Sequence, residues 1–206
     1  MFEAVIFGLS VAHWLVVLSM GLGVFGGYSY VRDTLKGITK PNRVSWGIIA
    51  AIPLLGIAAS LDAGADPWAV ARVVLAGLIP LAIFLASFVN RNAYWQLRVF
   101  DYFCGALAVC ALGFWFFAGN PIVAIMLLIS ADFLASLPTV KKAWQHPETE
   151  TGVTFIMGMV SMIIVLPSVH TWDVANTAFP LFVLGINALL ALGVYRKRIF
   201  IWLTSK

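Results

Sequence analysis

Three side chains could do chemistry in the interior of this very apolar chain: Asp132, Asn187 and His13. Asp132 lies in an apolar run six residues before Pro138, which on a helix places it about 9 Å deeper than the proline. A carboxylate at that depth is costly unless it is paired, hydrated or protonated. It therefore marks a pathway, a proton site or an ion pair, with Lys141 and Tyr28 as the structural partners to consider. Asn187, between Gly185 and Ala188, offers an amide that can bond a hydroxyl or a carboxylate without bringing charge; it could equally join two helices. His13, next to Trp14, carries an imidazole that could bind a proton or a polar ligand, or simply donate to a backbone carbonyl. Arg72 needs a partner or a position at a mouth, and Asp62 and Asp66 are the nearby acids.

Other chemistries are absent. There is no phosphate-binding glycine loop, no HExxH and no Cys/His cluster with metal spacing. His13, His146 and His170 fall on three separate segments and cannot share one metal. No catalytic set, metal site or redox cofactor motif emerges, so an enzyme is not expected. Cys104 and Cys110 share one apolar run, about 9 Å apart along a helix axis. That exceeds the roughly 7 Å limit for a disulfide, and both read as packing residues.

The elements that must position these residues are apolar runs. The chain is 62% hydrophobic and 11% charged, against roughly 25% charged residues in soluble domains. Seven runs, near 4–31, 44–61, 68–89, 99–118, 121–138, 153–169 and 174–195, approach the roughly 20 residues needed to cross a bilayer. The expectation is an integral membrane protein with no soluble domain. The start of the chain lacks the positive charge of a cleavable signal, so the first run reads as a retained helix. Every Lys and Arg except Arg72 falls on segments 32–43, 90–98, 139–152 and the C-terminal tail, while Glu3, Asp62, Asp66 and Asp173 fall on the other side. By the positive-inside rule this predicts a cell-membrane protein with its N-terminus outside and its C-terminus in the cytoplasm. The net charge of +4 then reports orientation and not nucleic-acid binding.

Two polar stretches share a layout: YSYVRDTLKGITKPNRVSW, from Tyr28 to Trp46, and LPTVKKAWQHPETETGVTF, from Leu137 to Phe155. A shift of 109 residues lays Val31 on Val140, Arg32 on Lys141, Val44 on Val153 and Trp46 on Phe155 without a gap. It also lays the first three runs on the last three. The fold class predicted is an all-α membrane protein with seven transmembrane helices, as two parallel three-helix repeats (1–90 and 120–206) joined by a linker helix (91–119). The odd helix is needed to bring the second triplet into the membrane in the same sense as the first, and such parallel repeats place a substrate site between them near the midplane. Trp46 and Phe155, equivalent under the shift, read either as a paired cytoplasmic gate or as interfacial aromatics. Pro138 reads as a hinge or as a helix end. Gly23 and Gly27 would let a neighbouring helix approach closely.

This plan resembles the SWEET and PQ-loop family over nearly the whole chain. Pro138-Thr139 stands where the family places its Pro-Gln pair, followed by basic residues and Glu148-Thr149-Glu150; Lys36-Gly37-Ile38-Thr39 leads to Val44-Ser45-Trp46 in a similar way. Ser29 stands where the first copy would carry its proline, and neither copy has a Pro-Gln pair. The resemblance implies a transporter of a small polar solute, sugar-like or an amino acid, working by alternating access and by facilitated diffusion. It makes Asn187 the first choice for substrate contact, because the family uses an Asn on this helix, and it favours a hinge at Pro138. Two alternatives stay open: a proton-coupled amino-acid transporter using Asp132, and a non-transporting receptor, sensor or assembly protein on the same fold. The expected partners are the solute and the lipid bilayer, with a homo-oligomer allowed.

Overall fold

The structure is a computed structural model that describes residues 5–6, 9–62, 67–169 and 172–204. Among the described residues it has seven α-helices: α1 (Val11–Leu35), α2 (Arg43–Asp62), α3 (Pro67–Val89), α4 (Val99–Trp115), α5 (Pro121–Gln145), α6 (Gly152–Val165) and α7 (Val174–Thr204). The only strands among the described residues, β1 (Val5–Ile6) and β2 (Leu9–Ser10), pair antiparallel ahead of α1.

Local chemistry sets the helix ends. Ser10 is extended and its hydroxyl accepts from the His13 amide at 3.3 Å, satisfying one of the free N–H groups of a first turn. The first helix therefore starts at Val11 and not near residue 4 as its apolar run suggests. It ends in a left-handed turn: Gly37 has φ 75°, its amide reaches Thr34 O, and the Ile38 amide reaches Asp33 O. This is the Schellman arrangement, which favours glycine at that position. The Asn42 side chain accepts from the Ser45 amide at 3.2 Å to start α2, and Asn120, followed by Pro121, caps α5 through the Ile122 and Val123 amides.

α5 corrects a second expectation. It does not stop at Pro138 but runs on to Gln145. Proline removes one backbone hydrogen bond, yet the turns beyond it are held by burial: Thr139, Lys142 and Ala143 are all buried. α4 ends a little earlier than its apolar run, and α7 extends well past residue 195.

α3 packs between α1 and α2, and α7 packs between α5 and α6. The two triplets meet where α1 lies on α6 and α2 lies on α5; α4 covers α5 and part of α2. The α1–α6 seam is close. The Thr154 hydroxyl donates to Gly26 O at 2.7 Å and the Ser161 hydroxyl donates to Ser19 O at 2.9 Å. Moving seven residues up one helix moves seven down the other, so the pair is antiparallel.

Four of the helices contain a stretch long and apolar enough to cross a bilayer: Val11–Leu35, Val70–Val89, Ile122–Gln145 and Asn176–Arg198. The others contribute shorter apolar stretches, Arg43–Ile57, Val99–Trp115 and Gly152–Ser168. Polarity is arranged from the inside outward. Ser19, Thr34, Ser45, Ser87 and Ser136 are buried, while Val99, Phe103, Phe114 and Phe117 are exposed. An apolar exterior of this extent fits lipid rather than water.

Candidate functional site

At one end of the bundle, where α1 turns into α2 and α5 into α6, the two polar stretches fold against each other. The Lys40 amide donates to Thr149 O at 3.0 Å. The Thr39 and Thr151 hydroxyls are 2.5 Å apart. Thr151 donates its proton to Asp33 at 3.1 Å, so Thr39 is the donor to Thr151, a hydroxyl having one proton to give. Lys142 Nζ lies 2.7 Å from Glu150 Oε1, with the two side chains 1% and 0% exposed. The same ammonium donates to the Lys40 carbonyl. The Tyr30 hydroxyl donates to the other Glu150 oxygen at 2.6 Å and accepts from Trp46 Nε1 at 3.2 Å.

An aromatic layer sits directly on this ion pair. Tyr30 stands between Trp46 and Phe155, with ring centroids 4.8 Å and 6.3 Å away, and all three are buried. Trp46 and Phe155 both lie in this layer, where they meet through Tyr30. Tyr30, Lys142 and Glu150 belong to this buried cluster, and sequence reasoning did not single them out. The 109-residue shift pairs Tyr30 with Thr139 and Glu150 with Pro41, so equivalence does not mark them. Sequence reasoning counted Lys142 among the basic residues of segment 139–152 and Glu150 only within the family-like Glu148-Thr149-Glu150 stretch.

The other half of the bundle holds a cavity of about 360 Å³. Ser19 and Gly23 of α1, Pro53 of α2, Arg72 of α3, Ser161 of α6 and Pro180 of α7 are among its lining residues, so both triplets contribute. Its walls are mostly apolar, with Ile52, Leu128 and Phe179 among them.

Asp132 and Asn187 lie just beyond its floor. Each is four residues, or about 6 Å, past a lining residue, Leu128 on α5 and Val183 on α7, in the direction of the aromatic layer. Asp132 is buried and accepts from the Ser136 hydroxyl at 3.3 Å. Among the described residues it makes no ion pair. Lys141 instead lies over the Phe100 ring at 4.3 Å, and Tyr28 is exposed. Asn187 donates to Val183 O at 2.8 Å and lies so close to Gly158 that a Cβ there would meet its Oδ1 at 2.6 Å. Gly158 itself lines the cavity.

His13 stays apart from both. At the first turn of α1 its Nδ1 is 2.9 Å from the Ser10 hydroxyl, and its ring stacks on Trp68 at 5.0 Å. This shapes the helix start rather than the cavity. Pro138 is fully buried in α5, next to α4, and shares a small cleft with Trp95, Asp101 and Lys141. Arg72 projects into the cavity lining and donates to Met162 Sδ at 3.1 Å. The acids expected to pair with it, Asp66 and the side chain of Asp62, lie outside the described residues.

No family model, curated protein or solved structure matches the chain.

Proposed function

We propose that the chain is a seven-span membrane carrier that moves a small polar solute by alternating access and facilitated diffusion. The observation that carries this reading is a cavity shared by both triplets and shut at one end by the Tyr30–Trp46–Phe155 layer over the Lys142–Glu150 pair. Two further features support it. α3 and α7 occupy equivalent middle positions in their triplets, while α1 on α6 mirrors α5 on α2, as two parallel repeats require. Three apolar stretches are short, but two of them, Val99–Trp115 and Gly152–Ser168, reach the roughly 17-residue lower limit for a span. The basic segments sit at the closed end, which supports a cytoplasmic position for that end and an outward-facing cavity. Alternating access then means parting the two polar stretches and closing α2, α3 and α7 over the opposite end.

The test is flux. Purified protein in liposomes is expected to give saturable uptake from a panel of sugars, amino acids and small organic acids; saturable binding with no uptake of any of them would make it a receptor instead. Asp132, buried and without an ion pair among the described residues, supports a second reading as a proton-coupled carrier. Facilitated diffusion predicts that an imposed pH gradient drives no accumulation. Gradient-driven accumulation that Asp132→Asn abolishes would replace it with proton coupling.

Topology has its own check. Cysteines at Gly37 and Gln145, in a background lacking Cys104 and Cys110, are expected to react only with reagents that reach the cytoplasm. One at Gly119 is expected to react only from outside. Labelling of 37 and 145 from opposite sides would end the parallel-repeat reading.

A further inference from the structure

Among the described residues, Arg72 carries the only charge in the cavity lining. Its recorded acceptor is the Met162 thioether, a weak one for a group with five N–H donors. The remaining polar groups of the lining are committed elsewhere. The Ser19 hydroxyl donates to Val16 O at 2.7 Å, and the Ser161 hydroxyl donates to Ser19 O. Asn187, behind Gly158, gives a proton to its own helix. A sugar, with hydroxyls on every side, would find few partners here. A group that presents one anionic edge to a guanidinium and apolar surface to Ile52, Leu75, Leu128 and Phe179 would be matched on every side.

From this we infer that the cavity binds a small organic carboxylate with a compact apolar body and no ammonium group, its two oxygens held by Arg72. The planar guanidinium fork fits a carboxylate in a bidentate pair, and the pairing neutralises a cation that is costly inside a bilayer. The size agrees, since about 360 Å³ lies near the small end of ligand pockets, which span roughly 300 to 1,000 Å³. An ammonium group would lack a counter-charge: no acid lines the cavity among the described residues, and Asp132 stands a turn beyond Leu128. Calling this molecule the transported solute rests on the carrier reading; its binding does not.

The experiment is equilibrium binding to the purified full chain in lipid nanodiscs, with four probes: 4-methylpentanoate, its neutral amide, leucine and glucose. The wild type is expected to bind the carboxylate at least about tenfold more tightly than the amide, and more tightly than leucine or glucose. Arg72→Gln should erase the preference for the carboxylate over the amide, while Arg72→Lys should keep part of it. If Arg72→Gln fails to fold, the wild-type comparison of acid and amide still decides. Equal binding of acid and amide, as expected if Asp62 or Asp66 neutralises Arg72, would overturn the inference; so would tighter binding of leucine or glucose, or no binding of the acid. Liposome uptake measured in parallel separates the two claims. Acid binding without uptake defeats the carrier and leaves the site; uptake of a neutral solute without acid binding does the reverse.

Discussion

Lys142→Met is expected to destabilise the protein by about 3–5 kcal/mol, the cost of removing one partner from a buried ion pair. The reason is what remains. The Glu150 side chain is fully buried, and without the ammonium its carboxylate keeps, among the described residues, only the Tyr30 hydroxyl. The Lys40 carbonyl loses its donor from Lys142 as well. The pair-wise nature of the effect is the useful part. Replacing both residues, as Lys142→Met with Glu150→Gln, removes the stranded charge and should recover most of the loss, since a neutral substitute for a buried ion pair is often tolerated. Unfolding followed in detergent by tryptophan fluorescence measures both variants against the wild type. A single variant that costs less than about 1 kcal/mol, or a double variant no better than the single, would mean that the two charges are not coupled.

Gly26→Leu should be the other large effect. A Cβ at this position would lie 3.0 Å from Met157 Cβ and 3.3 Å from the Thr154 backbone. A branched side chain cannot be absorbed there by a rotamer change, because part of the obstacle is the α6 main chain. The helices must separate, which weakens the Thr154–Gly26 hydrogen bond and, seven residues away, the Ser161–Ser19 bond. Overpacking of this kind costs about 1–3 kcal/mol. Because this seam joins the triplets beside the aromatic layer, the carrier proposal adds that solute uptake falls with stability. Gly21→Leu is the control: the same helix and the same chemistry, but nothing within 4 Å of the added carbon. Its stability should be unchanged or slightly higher, glycine being a poor helix former. Equal losses in the two variants would show that the α1–α6 approach is not tight.

Several features were legible in the sequence for simple reasons. Apolar runs gave the helices, since length and hydropathy suffice to mark them. Trp46 and Phe155 were found because the shift pairs them and the structure brings both to the Tyr30 ring. Helix ends were less legible. The Ser10 cap and the continuation of α5 past Pro138 depend on a local hydrogen bond and on burial, neither of which hydropathy reports. The site was the least legible part. Glu150 and Lys142 sit in polar stretches that look solvated, and they become an interior pair only when residues near 39–42 fold over those near 149–151. The three candidate side chains also dispersed. Asp132 and Asn187 share a level beneath the cavity floor, while His13 serves the first turn of α1. Spacing along one helix ranks depth, but which residues converge depends on how α5 and α7 rotate against their neighbours.

The cluster around Tyr30 and the Lys142–Glu150 pair is built from unlike contributions. Residues 1–90 supply the phenol, the indole and the Lys40 carbonyl, while residues 120–206 supply the acid, the ammonium and Phe155. Under the 109-residue shift Lys142 falls on Asp33, Glu150 on Pro41 and Tyr30 on Thr139, so apart from the aromatic pair Trp46 and Phe155 neither half holds a counterpart of what the other provides. Two first halves set face to face would lack both members of the ion pair, and two second halves would lack the phenol and indole. The two segments are complementary parts of one cluster, and neither of them taken twice could rebuild it.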